Sequence, residues 1–297
     1  MEELTQCPLC GEASLRPFLQ VKDHSISQEQ FEIRTCDRCG FAATTPRPTQ
    51  NEIHRYYEST NYISHTNEQK GLQARLYQWA REQAVSRKHR QIRHYCAQGS
   101  LLDYGCGTGE FLGYMKAHGY RTTGIEPSSK ARELAAKNHG LQPLPSLDQL
   151  QEGEAFDIIT LWHVLEHVHD LASTVERLSH RLKPGGTFII AVPDRESWDA
   201  QHYGPEWAAY DVPRHLWHFR RQDIHRLLEQ HRLQLDRTTR MWMDALYIGM
   251  HSERYRGAGP VASMLKGFAL GLWSNLVSST TSRPTSSSLF FARKGQA

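Results

Sequence analysis

The stretch Ser100-Leu-Leu-Asp103-Tyr-Gly105-Cys-Gly107-Thr-Gly109 constrains this chain more than any other. SLLDY is an apolar run of strand type, three closely spaced glycines follow it, and EFLGYMKAHG then reads as a helix ended by Gly119. Glycine lets the backbone turn left-handed and approach a ligand closely. A strand that feeds a helix through such a loop aims the helix N-terminus and its own carboxyl end at that ligand. The dinucleotide fingerprint G-x-G-x-x-G fails, because Glu110 stands where the third glycine belongs. Asp103 and Glu110 would repel a diphosphate, whereas Asp103 suits a ligand carrying an ammonium group. RTTGIE is the next strand, and Glu126 at its end is placed to accept both hydroxyls of a ribose.

The remaining pattern keeps alternating. PSSKARELAAKNHG is a helix capped at Ser128 and stopped at Gly140, and a short strand is expected near Leu141–Leu144. AFDIITLW is a buried strand, HVLEHVHDLASTVERLSHRL a helix ended by KPGG, and TFIIAV another strand. RQDIHRLLEQH is a helix, LQLDRTTRM and SSLFFARK are closing strands, and SSTTSRPTSSS (278–288) is a loop. Such alternation specifies an α/β fold with a parallel, doubly wound sheet. At 297 residues, 39% hydrophobic and 23% charged, the chain can bury one large core with an appendage. A net charge of +3 does not mark a nucleic-acid binder. MEELTQCPLC has no basic and apolar leader, and no run is long enough to span a membrane, so a cytoplasmic location is expected.

Two CxxC pairs, CPLCG and CDRCG, put Cys7, Cys10, Cys36 and Cys39 at the spacing of a zinc ribbon. Four thiolates close the coordination sphere, so the expected zinc is structural. Cys96 and Cys106 are left unpaired.

LLDYGCGTGEFL, GIEPS, FDIITLWHVLEHV and LKPGGTFIIAVP together resemble the motifs of class I S-adenosylmethionine (SAM) methyltransferases, over about residues 100–295. The resemblance implies a Rossmann-like seven-stranded sheet of order 3-2-1-4-5-7-6, with SAM lying across the loops of the first, second and fourth strands. By position, Asp103, Gly105, Gly107 and Gly109 would hold the methionine part and Glu126 the ribose. Leu147, beside Ser146, would edge the adenine, and Trp162 would line the cofactor at the end of the fourth strand. No residue of PLPSLDQL is assigned to the acid usual just after the third strand. The expected organisation is a zinc ribbon (1–45), a helical connector or cap (46–98) and a methyltransferase domain (99–297) with insertions at 194–220 and 242–285. The ribbon, PRPTQNEIHRYYESTNYISH and the core together resemble a bacterial class I methyltransferase family. The zinc-binding segment is similar to one on some small-molecule methyltransferases, including enzymes that C-methylate nucleotide sugars, and would help cover the substrate.

His163, Glu166 and His167 also form H-x-x-E-H, the inverzincin protease string. Their place directly after a buried strand, at the mouth of the expected SAM site, argues against a protease. Quinone-pathway O-methyltransferases are similar here but carry E-x-x-E-H. Three readings stand: Glu166 and His167 brace the following helix; His163 is a general base or substrate contact; or His163, Glu166 and His167 share a second divalent metal. In the 194–220 insertion, Tyr210, Asp211, Arg214, His215 and His218 suit an aromatic substrate pocket, although a surface loop with packed aromatics also fits. His215 is a second candidate base, and Arg214 would hold a carboxylate or phosphate. The apolar segment 261–277 reads as a buried helix or as a membrane-surface or lipid-chain contact at the inner membrane face. The expected function is a SAM-dependent methyltransferase acting on a small molecule: a quinone-like phenol, a nucleotide sugar or a lipid. An RNA-modifying enzyme that binds through its ribbon, and a SAM-binding protein without turnover, are the alternatives.

Overall fold

The computed structural model describes residues 1–57 and 72–295, with only the backbone described over 72–81. The middle of the expected connector, 58–71, lies outside the described residues. At the N-terminus, β1 (Leu15–Lys22), β2 (Gln30–Cys36) and β3 (Ala42–Thr44) form an antiparallel sheet. Helix α1 (Leu72–Arg93) leads into the main domain.

The main sheet contains β4 (Ser100–Tyr104), β5 (Arg121–Ile125), β6 (Phe156–Trp162), β7 (Leu182–Pro193), β9 (Leu233–Arg240) and β10 (Ser287–Lys294). Its order is β5-β4-β6-β7-β10-β9. The first four are parallel, and β10 runs antiparallel to both β7 and β9. This is the expected Rossmann-like order with one strand missing. The third strand shrinks to a single parallel bridge, Ile125 to Leu144. Pro143 and Pro145 flank Leu144 and withhold the amide donors that a longer ladder needs. Helices α2 (Glu110–Ala117), α3 (Ser129–His139), α4 (Leu171–His180) and α6 (Arg221–Gln230) accompany the sheet. Alternate strand residues bury on opposite faces: Leu101, Ile158 and Ile189 enter one apolar cluster, and Leu102, Ile159 and Phe188 the other.

Three local expectations change. HVLEHVHD is not helical throughout: His163 has φ +55°, Leu165–His167 is a 3-10 turn, and α4 starts only where Asp170 caps Ser173 N at 3.1 Å. KPGG does not end the helix, because α4 stops at His180 and KPGG lies within β7. The serine-rich stretch is a loop only in part: a helix reaches Thr280, and Thr285–Ser288 are fully buried. There Ser286 donates to Asp199 at 2.7 Å and Ser288 to Asp194 at 3.3 Å, so buried carboxylates hold these hydroxyls inside.

The insertion after β7 contains α5 (Trp198–Tyr203) and the short strand β8 (Trp217–His218). β8 does not join the main sheet but adds to β3, pairing Ala42 with His218 and Ala43 with Trp217. The insertion before β10 is a hairpin of α7 (Trp242–Tyr255) and α8 (Pro260–Thr280). The expected buried helix over 261–277 is buried on one face only. Ser263, Gly267, Gly271, Ser274 and Ser278 point inward, and the large apolar side chains point out.

Candidate functional site

β4 delivers the chain to a loop in which Gly105, Gly107 and Gly109 all have positive φ, +77°, +55° and +84°. Other residues occupy that region only under strain. A Cβ on Gly105 would collide with Val164, and one on Gly109 would meet Leu141 at 2.8 Å. Beside Gly107 there is open space, which leaves this backbone free to meet a ligand. Glu126 stands just past β5 and accepts from Gly107 N and from Ser128 N, both at 2.9 Å. The carboxylate is thus fixed across the loop with lone pairs to spare. Leu147 opens a 3-10 turn after the bridge at Leu144 and is 7% exposed.

Asp103, near the end of β4, is buried and accepts from Thr160 Oγ1 at 2.6 Å. Burial pushes its pKa up to about 7, against that hydrogen bond and the attraction of Lys88. Lys88 comes from α1, and its ammonium lies 4.1 Å from the Trp162 ring centroid. Burial lowers its pKa, and Asp103 and Asp244 oppose that. Trp162 stacks edge-on with Phe111 at 5.4 Å, and its buried Nε1 has no hydrogen-bond partner among the described residues. The cleft beside the glycine loop therefore already favours a cation against carboxylate and aromatic faces.

Beyond β6, His163 donates from Nδ1 to Glu166 at 3.3 Å and from Nε2 to Asp244, on α7, at 3.0 Å. Burial pulls the His163 pKa down, but the two carboxylates outweigh it and lift it to about 10. The ring is therefore an imidazolium with both protons engaged, not a free base. His167 is the opposite case. Burial and the neighbouring His215 charge bring its pKa down to about 4. Its Nδ1 faces Arg214 O and Tyr57 Oη, both at 3.0 Å, so a neutral ring keeps its lone pair on Nε2. His215 donates Nδ1–H to Ala209 O at 2.8 Å, and its Nε2 lies 4.0 Å from Asp211 Oδ2. The rings of His167 and His215 meet edge to face at 4.6 Å. The ligand atoms of Glu166, His167 and His215 all lie within 4.8 Å of one another, and Glu166 Oε2 is buried without a partner among the described residues. Among the described residues of this region, the set that could hold a metal is Glu166, His167 and His215, and not His163, Glu166 and His167, one of the three readings of the sequence. His163 is drawn away because Asp244 competes for it.

Other residues of the expected substrate pocket go elsewhere. Arg214 is fully buried and donates to Asp23 at 2.9 Å, Asp211 at 2.6 Å and Tyr56 O at 3.0 Å. It has no donor left for a substrate carboxylate or phosphate, and instead joins the insertion to the N-terminal sheet. Asp211, at φ +34°, is its partner. His218 is buried against Thr44 Oγ1 at 2.9 Å, and Tyr210 packs on its ring at 5.3 Å. Both serve the junction with β3. His215 alone of this group reaches the Glu166 cluster. Sequence reasoning missed Lys88, Thr160 and Asp244. Lys88 is hidden in a basic helical run. Asp244 is a lone acid in the apolar string MWMDALY, which is a usable signal.

At the other end, Cys7 Sγ and Cys39 Sγ are 3.5 Å apart, as are Cys10 Sγ and Cys36 Sγ, and the four sulfurs lie within 4.8 Å of each other. None is in a disulfide. Tetrahedral zinc–thiolate bonds put sulfurs about 3.8 Å apart, so the quartet fits zinc. Burial pushes the Cys39 thiol up to about 11, whereas at Cys36 burial is outweighed by the hydrogen bonds from Cys39, Cys10 and Arg38, which draw the thiol down.

An open α/β sheet with a left-handed glycine loop at the end of its first strand, facing an acid at the end of the second, defines the class of SAM-methyltransferase-like folds. A family model described as a methyltransferase domain matches residues 60–237. The chain belongs to this methyltransferase-domain family. Among curated relatives, it is 31% identical over 128 residues to a ubiquinone biosynthesis O-methyltransferase of Paramagnetospirillum magneticum, covering 40% of this chain and 51% of the relative. It is 33% identical over 137 residues to the protein of the same name from Albidiferax ferrireducens, covering 41% and 54%. The chain thus spans about half the length of the curated relatives it matches. Among solved structures, it is similar to Burkholderia thailandensis 1,6-didemethyltoxoflavin-N1-methyltransferase with bound substrate and S-adenosylhomocysteine. That likeness has TM-score 0.52 at 16% identity and covers 93% of this chain and all (100%) of the other. It also resembles magnesium protoporphyrin IX methyltransferase from Synechocystis, with TM-score 0.52 at 15% identity, covering 82% and 98%. At these identities the likeness concerns the fold.

Proposed function

We propose that this chain is a SAM-dependent methyltransferase that methylates a hydroxyl of a small, phenol-like acceptor. The observation that carries the reading is the pairing of the three left-handed glycines with Glu126 across the loop after β4, with open space beside Gly107. Glu126 is positioned to accept the ribose hydroxyls, and the Gly107 backbone to lie against the cofactor. Asp103, buried with Lys88 as a neighbouring cation, gains a further countercharge from the ammonium of the methionine part. When bound, SAM supplies an electrophilic methyl group, which goes to the acceptor oxygen and leaves S-adenosylhomocysteine. The chain's own work is mainly positioning. Trp162 forms a wall at the cofactor's reactive end. His163, charged between Glu166 and Asp244, holds these two carboxylates in place beside the acceptor hydroxyl. His215 Nε2 takes the hydroxyl proton, in the role of general base expected of either His163 or His215. Where a divalent cation joins, Glu166, His167 and His215 would hold it, and it would polarise the acceptor oxygen. The Cys7, Cys10, Cys36 and Cys39 quartet would hold a structural zinc.

Supporting this acceptor class are the names of the curated relatives, which are O-methyltransferases. The test is calorimetric titration with S-adenosylhomocysteine, followed by transfer of labelled methyl from SAM to extracted small molecules. Wild type should bind and Glu126→Ala should lose most affinity. Label entering nuclease-sensitive polymer instead would support the RNA-modifying alternative, and absence of binding would remove the cofactor assignment.

A further inference from the structure

The α7–α8 hairpin reverses the usual amphipathic pattern. Along α8 the inward face is small: a Cβ on Gly267 would strike the backbone of Gly249 and Met250, and one on Gly271 the backbone of Ala245. The two helices therefore touch backbone to backbone, and polar groups finish the seam. Ser274 donates to Asp199 at 2.7 Å and Asn275 to Trp242 O at 2.8 Å. The large side chains are left outside. Val261, Leu265, Phe268, Leu272, Trp273 and Leu276 are each between 48% and 67% exposed. On α7, Trp242, Met243 and Tyr247 extend the patch at 40–55% exposure. A contiguous apolar surface of this kind signals a partner or a lipid surface.

Charge decides between occupants. From Arg254 to Ala297 the sequence has no Asp or Glu. Arg254 and Arg256 precede α8, Lys266 lies on it and Arg283 follows it, and all four are exposed. The acids packed against the hairpin face inward: Asp244 pairs with His163, Asp199 accepts from Ser274, and Glu253 is buried. A second copy of the chain would bring like charges together over this face. An anionic lipid surface complements both the apolar stripe and its basic margins, and the two tryptophans suit the headgroup boundary. No helix among the described residues is long and apolar enough to cross a membrane, so docking is by one face.

We propose that the α7–α8 hairpin seats the protein on an anionic phospholipid membrane. The same α7 that presents Trp242 and Met243 outward presents Asp244 to His163, so the docked face adjoins the acceptor site. Taken with the methyltransferase reading, on which this part rests, the acceptor is amphipathic, with its hydroxyl in the cleft and its apolar tail in lipid.

The experiment is flotation of the full chain with phosphatidylcholine vesicles, with and without roughly 30 mol% phosphatidylglycerol. The expected result is association with the anionic vesicles, weakened by salt and accompanied by a blue shift of tryptophan emission. The double variant Leu265→Glu, Phe268→Glu should lose about tenfold or more in association, while thermal unfolding and S-adenosylhomocysteine binding stay at the wild-type level. No association at low salt overturns the proposal, as does equal association by the double variant. A wild-type dimer that the double variant dissolves also overturns it, assigning the face to a second copy. Cofactor binding is read separately, so docking without it would sink the methyltransferase reading and leave the surface assigned, and the reverse would sink only the surface.

Discussion

Asp103 is held by the fold in a state that only its ligand relieves, and replacing it with Asn separates stability from binding. Its carboxyl is 3% exposed and burial carries its pKa from 3.8 to about 7. A carboxyl whose pKa is raised on folding keeps the native state at full stability below the unfolded value. That stability is lost as pH climbs through the folded value. Over this window the loss has an upper bound of about 4 kcal/mol. Lys88 gains from the ionised Asp103 and returns part of it, leaving a net cost on the order of 1–2 kcal/mol at about pH 8. Asn has the same shape and can still accept from Thr160 Oγ1. Asp103→Asn should therefore unfold at higher urea than wild type at about pH 8, with the difference shrinking towards about pH 5. The same change removes the countercharge for the ligand ammonium, and S-adenosylhomocysteine affinity at about pH 8 should fall by about ten- to a hundredfold. In wild type the affinity should weaken by about tenfold per unit below about pH 7, and in the variant it should be flat. The assays are urea unfolding across pH and calorimetry at each pH. A variant less stable than wild type at high pH, or an affinity whose pH dependence survives the substitution, refutes the reasoning.

Purified protein should carry about one zinc per chain by plasma mass spectrometry, and Cys10→Ser with Cys36→Ser should lose it and melt at lower temperature. Removing Arg214, as Arg214→Met, strands Asp23 and Asp211 and should cost about 3–5 kcal/mol in urea unfolding. An unchanged midpoint with a raised KM would instead make Arg214 a substrate anchor. Because His163 is lifted to about 10, its stabilising pair with Glu166 and Asp244 is complete below its usual 6.5 and is lost as pH rises towards 10. Wild type should thus lose stability between neutral and alkaline pH more steeply than Asp244→Asn, as followed by thermal melts, and parallel curves would count against the pair.

The cofactor half of the site is legible in the sequence because it is local. Strand, glycine turn, helix and strand-end acid lie within one stretch from Ser100 to Ser128, and their geometry follows from φ preferences and short-range hydrogen bonds. The acceptor half is not local. Asp244 comes from the second insertion, Lys88 from the helix before the domain and His215 from the first insertion. No spacing announces that they meet. That is also why the role expected of Arg214 fails: a guanidinium among aromatic residues reads equally well as an anchor or as a buried tie, and only Asp23, far off in the chain, decides. In α8 hydrophobicity misleads for another reason. Close helix contact selects small side chains for the seam, so the apolar count reports the outside of the helix.

The sharing of β8 between the insertion and the N-terminal sheet has a consequence for how the chain is made. β3 pairs with a strand that emerges from the ribosome much later, and the bond from Thr44 Oγ1 to His218 spans 174 positions. During synthesis the first sheet stays open along that edge while the main domain is being added. The last step of closure depends on a long loop, the slow kind of contact in any folding reaction. The segment that closes it, Asp211–His218, also carries His215. A nascent chain therefore closes its N-terminal sheet in the same event that brings His215 to Glu166 and His167, and a chain arrested before that point has neither.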